Sequence, residues 1–433
     1  MSTKVLTTVL LFLLGEIVLQ AQTLNPLVLP GEIPMPTQRA EASKLDALAI
    51  GLRISDEVDD NALSDDRNKQ ANLLTVIEPH LGWTLSDSRA KWTLDYRPGF
   101  SMSHPLSTYN SRSDLLDTGL QLKLTKRLTA RLHESFLESN NPFDQLRSSE
   151  LTQGSSTLDR PSNAIIANAR TTNQQASIDL IYAIASHDII GTTGVFYRVS
   201  YSSAGNTQQL GSAKSSSAHG FYSHHLSRRN WIGLDYNIRD LITQEPRSQA
   251  LVQSVFYTDT FLLTPNGTLS FFLGPEHSVT RYEPTMLPAG TGNVFLTRPN
   301  WNWAGGANYV LSDKHTSLAI GLSHRISEGA GLQGVVKLWS ATAEVRRQLA
   351  RKWKGWVLVS DDRATPLVAT FTPISYVSAA AGLTRAVTPK LSLDFRYWRV
   401  HEVTSGVRSN PFLADHNRIS TSLVYEFKTS VER

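Results

Sequence analysis

The sequence predicts an all-β fold, a transmembrane antiparallel β-barrel of about 18 strands (roughly 16–18), and three observations predict it. From Leu48 onward, apolar and polar residues alternate with period two and break at turns, as half-buried strands do. The breaks alternate between tight turns and long irregular stretches. The last amphipathic segment carries Ile419, Leu423, Tyr425 and Phe427 on one face and Ser420, Ser422 and Glu426 on the other, a strand able to close a barrel.

Taken in order, the chain opens with Lys4 before the apolar run 5–14, and small Ala21 precedes Gln22. That order is the signature of a secretory signal, so 1–21 is expected to be a signal peptide. Pro26, Pro30, Pro34 and Pro36 mark 22–45 as a periplasmic lead-in, which leaves 46–433 for the barrel. Along it, Leu120, Leu122 and Leu124 oppose Gln121 and Lys123, while Ile178, Leu180, Tyr182 and Ile184 oppose Ser177 and Asp179. Val195, Tyr197, Val199 and Tyr201 likewise oppose Arg198 and Ser200. The pattern returns where Ile232, Leu234, Tyr236 and Ile238 oppose Asp235, Asn237 and Arg239, and where Trp339, Ala341, Ala343 and Val345 oppose Thr342, Glu344 and Arg346. In each strand the apolar face is assigned outward.

Tight polar turns are read at 86–89, 125–127, 186–188, 227–230, 264–267, 312–314, 350–352 and 387–390. Longer connections are read at 57–70, 139–172, 202–215, 274–300, 361–373 and 402–415. Eight hairpins, a first strand near Ile50 and a last near Leu423 give the count of about 18. Short turns are expected in the periplasm with both termini, and long loops outside the cell, in the outer membrane of a Gram-negative envelope. A soluble sandwich gives the same alternation within a strand, but not the alternation of turn lengths.

Composition agrees. Hydrophobic residues make up 40% of the chain and the mean hydropathy is slightly negative, which excludes a polytopic helical membrane protein. The absence of cysteine removes thiolate metal sites, cysteine nucleophiles and a lipoprotein anchor. A net charge of +4 spread along the chain does not call for nucleic acid.

The expected lumen-lining residues are Arg97, Arg198, Arg239, Arg346 and Arg396, with Asp95, Asp235 and Asp394 among them. Lys123, Arg131, Arg325, Asp179, Glu344 and Glu426 share the same face. Two readings stand side by side: a hydrated conduit with mild anion preference, or a solvated face whose charges satisfy one another. Trp83, Trp92, Trp231, Trp301, Trp303, Trp356 and other aromatics near strand ends suit membrane interfaces, although cross-strand packing also uses them. The acidic stretch with Asp56, Glu57, Asp59, Asp60, Asp65 and Asp66 lacks the glycine and closing glutamate of a calcium loop, and no metal or cofactor is expected. His187-Asp188, His315-Thr316-Ser317, Asp361-Asp362 and Asp415-His416 are the pairs from which hydrolytic chemistry would be built. Such dipeptides arise by chance in a chain with 12 His, and no enzyme is expected.

The segment Leu48-Ala49-Ile50-Gly51-Leu52, the loop residues Asp59-Asp60-Asn61, then Ile77-Glu78-Pro79-His80-Leu81-Gly82-Trp83 and Leu94-Asp95-Tyr96-Arg97 resemble the opening of a family of outer-membrane β-barrel porins. The resemblance covers the first hundred mature residues best. It implies an outer-membrane channel of a kind in part associated with exopolysaccharide export, and the 18-stranded, arginine-rich alginate exporters are similar in architecture. Expected partners are outer-membrane lipid and lipopolysaccharide, the barrel-assembly machinery and a polar or anionic solute. Phe427 departs from the usual terminal aromatic in being followed by 428–433. A barrel plugged by its own loops, with a structural or adhesion role, is the alternative.

Overall fold

The computed structural model describes residues 46–62, 69–104, 106, 110–139, 170–202, 212–244, 247–283, 296–327, 334–367, 373–404 and 415–431. The expected signal peptide and lead-in lie outside them. Eighteen strands are formed: β1 (Asp46–Asp59), β2 (Asn72–Ser86), β3 (Ala90–His104), β4 (Ser111–Lys123), β5 (Leu128–Ser139), β6 (Arg170–Ala183), β7 (Asp188–Ser202), β8 (Ala213–Ser227) and β9 (Asn230–Gln244). They continue with β10 (Arg247–Thr264), β11 (Gly267–Tyr282), β12 (Leu296–Ser312), β13 (Thr316–Ser327), β14 (Val336–Ala350), β15 (Trp353–Pro366), β16 (Ile374–Ala386), β17 (Leu391–Thr404) and β18 (His416–Val431). Each pairs antiparallel with its sequence neighbours, and β1 also pairs with β18, with Ile50 opposite Phe427 and Ile54 opposite Leu423. The sheet therefore closes on itself, and closure leaves no terminal edge strand.

Strands form where the alternation is cleanest, and polar, turn-prone residues end them. All eight connections at one end, 87–89, 124–127, 184–187, 228–229, 265–266, 313–315, 351–352 and 387–390, are tight. Thr125 Oγ1, for instance, accepts the N–H groups of Arg127 and Leu128, and Thr388 Oγ1 accepts that of Lys390. Connections at the opposite end are mostly longer, with 140–169 the longest. The reading of 274–300 as a loop is corrected: β11 runs on to Tyr282 and β12 starts at Leu296. Gly274-Pro275 resembles a break in sequence, yet it sits mid-wall. There a Cβ on Gly274 would lie 1.8 Å from the Val255 carbonyl, so only glycine lets β10 come so close. The long connection read at 57–70 is also shorter, since β1 carries Asp56, Glu57 and Asp59.

A single closed wall has two faces. Leu52, Leu81, Phe100, Leu132, Leu180, Leu234, Tyr257, Leu322, Tyr397, Leu423 and Tyr425 stand exposed on the outer one. Most buried residues alternate with them and point inward, Asp259 being an exception held on the outer face by the Tyr257 hydroxyl. No helix among the described residues is long and apolar enough to cross a membrane, which says nothing about crossing by strands.

The lumen as candidate functional site

Period-two alternation brings one residue in two to the lumen, and register decides which of these meet. In the half nearer the short turns, Arg97 Nε donates to Asp95 Oδ1 at 2.7 Å, and His80 Nε2 lies 3.0 Å from Asp95 Oδ2. Asp117 stands directly opposite Asp95 on β4 and is held by His133 Nε2 at 2.9 Å. Across the barrel, Arg346 pairs with Glu344, and Arg396 Nη2 with Asp394 at 3.3 Å. Most of these side chains keep contact with solvent, Asp394 being nearly buried. The result, on β3, β14 and β17, is a solvated stretch of wall in which each arginine has a carboxylate two residues away on its own strand.

The half nearer the long connections is packed, and along β8–β12 the packing continues toward the short turns, where Ser223, Asp235, Ser270 and Asn308 are buried. At the β1–β18 seam, Arg418 donates to Glu57 Oε2 at 3.2 Å and Asp59 Oδ2 at 2.8 Å, His416 Nδ1 lies 3.4 Å from Asp59 Oδ1, and Arg53 donates twice to Ser422 Oγ. All are buried. Between β9 and β13 a second network joins Arg239 to Glu276, with Leu241, Ala250, Val252, Ile326 and Val335 packed beside it. Phe256, Phe272 and Ala304 form a further apolar cluster, as do Ala380, Trp398 and Val400. In an 18-stranded barrel without filling, inward side chains would face water; here those of this half do not.

The sequence-predicted residues divide accordingly. Arg97, Asp95, Arg346, Arg396 and Asp394 are on the inward face, toward the short turns. Arg239 and Asp235 are inward too, but buried, with Asp235 Oδ1 3.7 Å from His219 Nδ1. Arg198 is a correction. It lies on the outer face, exposed, opposite Gln174 and Lys214, while Tyr197 and Val199 point inward and pack on Ala213. The reason is that a dry, packed lumen accepts apolar side chains, so the apolar face of this stretch of β7 is the inner one. Trp231 and Trp356 are likewise inward, Trp231 stacked on His225 at 4.5 Å, rather than in an outer girdle.

Sequence reading missed Glu276, whose neighbours Gly274-Pro275 suggested a loop, and Arg418, which the alternation of β18 would have placed inward. Among the described residues no group of His, Asp and Glu is arranged to hold a metal ion. The candidate hydrolytic pairs are dispersed: Asp415 faces outward to His401 whereas His416 faces inward to Asp59, and Asp188 accepts from Tyr222 on the outer face.

Fold and lumen together define a closed, 18-stranded, all-antiparallel β-barrel whose interior is partly polar and partly packed with apolar clusters. No family model matches the chain, and no curated protein does. Similar solved structures include Pseudomonas aeruginosa OccK2 (OpdF), 9% identical over 88% of this chain and 98% of that one with a TM-score of 0.43. Pseudomonas aeruginosa OpdK with vanillate is 10% identical over 89% and 99%, with a TM-score of 0.43. The ferric-catecholate import receptor Fiu of E. coli is 10% identical over 87% and 81%, with a TM-score of 0.45. The architecture of this chain rests on its own strand pairing.

Proposed function

We propose that the protein is an outer-membrane channel that passes polar solutes, anionic saccharides among them, through the barrel lumen. One observation carries the reading: exposed apolar side chains recur outward on strand after strand around a closed wall whose inner face is charged and polar. Hydrocarbon would cover that outer surface, and a closed ladder satisfies the backbone groups that hydrocarbon cannot. Short turns at one end and longer connections at the other support a placement with the turns and both termini in the periplasm. Outer-membrane lipid, lipopolysaccharide and the barrel-assembly machinery are the partners this placement implies. The resemblance of the opening strands to exopolysaccharide-associated porins supports a saccharide as the solute. No catalytic or nucleic-acid role is assigned.

A second reading, a plugged barrel with a structural or adhesion role, is favoured by the burial of inward side chains near the long connections. Reconstitution in planar bilayers separates the two. A channel gives discrete conductance steps with a modest anion preference, and a barrel that inserts without conducting is plugged.

A further inference from the structure

β12 and β13 pair from Ser312–Ser317 only as far as Gly305–His324. Residues 325–327 then leave β12 while keeping their pairing with 336–338 of β14, and the chain end tilts into the lumen. Continued in register, Ile326 would fall opposite Trp303. In an antiparallel ladder such a partner exchanges both bonds with one residue, accepting its N–H and donating to its C=O. Here two side chains supply both bonds instead. The Ile326 N–H is donated to Glu276 Oε2 at 2.9 Å, and Arg239 Nη1 donates to the Ile326 carbonyl at 2.9 Å. Arg239 and Glu276 bond each other, and both are buried.

We infer that the Arg239–Glu276 pair is a latch that takes the place of a strand, holding the β13 end inside the lumen, and that its release lets 325–327 pair with 302–304 of β12 and widens the passage. This inference rests on the channel reading above for its consequence, not for the movement itself. Four further observations support the alternative position. Among the described residues, 296–304 of β12 pair with β11 alone, which leaves a ladder edge ready to receive 325–327. The Trp303 carbonyl is meanwhile occupied by His324 Nδ1 at 2.9 Å. Gly334, at a φ of 72°, lies just before β14, where a left-handed backbone re-aims the chain. In the register row that contains Glu276, the Asn237 amide and the Ser254 hydroxyl are buried without hydrogen-bond partners, and both gain water when the segment withdraws.

The test uses the full chain in lipid, with spin labels on cysteines at Gln249 and Lys337; the chain has no other cysteine. Arg239→Met with Glu276→Leu removes the latch while leaving apolar side chains of similar size. The label distance should lengthen by about one inter-strand spacing, ~5 Å, and a larger conductance level should appear. His324→Ala frees the Trp303 carbonyl without touching the ion pair, and should move part of the distance distribution the same way. If both variants keep the wild-type distribution, the latch is overturned, whatever the currents. Labels that move in a barrel that never conducts support the latch and sink the channel reading.

Discussion

Two arginine–carboxylate groupings show how differently the two halves of the lumen behave. Near the short turns, Arg346 and Glu344 are 40% and 23% exposed, and water screens their attraction. At the β1–β18 seam, Arg418, Glu57 and Asp59 are each less than a tenth exposed, and Arg418 serves both carboxylates. The chemistry is the same and the surroundings are opposite. A hydrated pair contributes little to stability because both ions are as well solvated apart, whereas a buried group cannot lose one member without stranding a charge. The Arg346–Glu344 pair keeps its charges in contact with solvent, and the seam group is locked away from it.

The largest effect should come from breaking the seam. Arg418→Ala strands Glu57 and Asp59 away from water and should cost ~3–5 kcal/mol, whereas Arg346→Ala should cost ~0–1 kcal/mol. Urea unfolding of both variants in lipid vesicles checks this, and equal losses would erase the distinction between the halves. The outer face sharpens the comparison next. Leu234 is exposed within the apolar band, and Leu234→Lys should cost ~2–4 kcal/mol if that band lies in hydrocarbon. Arg198→Leu, on the same face but beside Lys214 and Gln174, should change stability by less than ~0.5 kcal/mol. A stabilisation by Arg198→Leu as large as the cost of Leu234→Lys would mean that Arg198 lies within the band.

Ion selectivity should move least. Arg346→Gln with Arg396→Gln leaves Glu344 and Asp394 unopposed in the hydrated half and should shift reversal potentials toward cations. The shift should be modest, because fields are screened beyond ~8 Å at physiological salt. Arg239 does not belong in this test, since its guanidinium is engaged with Glu276 and the Ile326 carbonyl. Unchanged reversal potentials would remove Arg346 and Arg396 from the ion path.

Much of the fold was legible because a strand's period is local. Leu234-Asp235-Tyr236 reads from three letters as two residues on one face and one on the other, and the tight turns announce themselves by residues such as Thr125 and Thr388 that cap their own backbone. Leu94-Asp95-Tyr96 and Leu393-Asp394-Phe395 follow the same rule. The site was less legible. Arg97, Arg346 and Arg396 could be placed from alternation, since each follows an inward acidic residue by two positions. Arg198 could not, because Tyr197 and Val199 look like a membrane-facing stripe until the interior they fill is known. Nothing near Ile326 in sequence announces that its backbone is held by Arg239, 87 residues away, and by Glu276, 50 residues away.

The sequence by itself determined where most strands run, that there are about 18 of them, and that the segment ending at Phe427 could close the sheet; the mid-wall Gly274-Pro275 shows where it misled. Each of these follows from neighbours two residues apart or from a turn a few residues long. Only the tertiary structure decided which face of β7 is inner, where the lumen is dry, and that the end of β13 leaves the wall. Exchanging the two faces of a strand leaves its alternation unchanged, so sidedness is fixed by what the closed barrel encloses. Burial at the seam, likewise, exists only once β1 meets β18, some 370 residues apart in the chain.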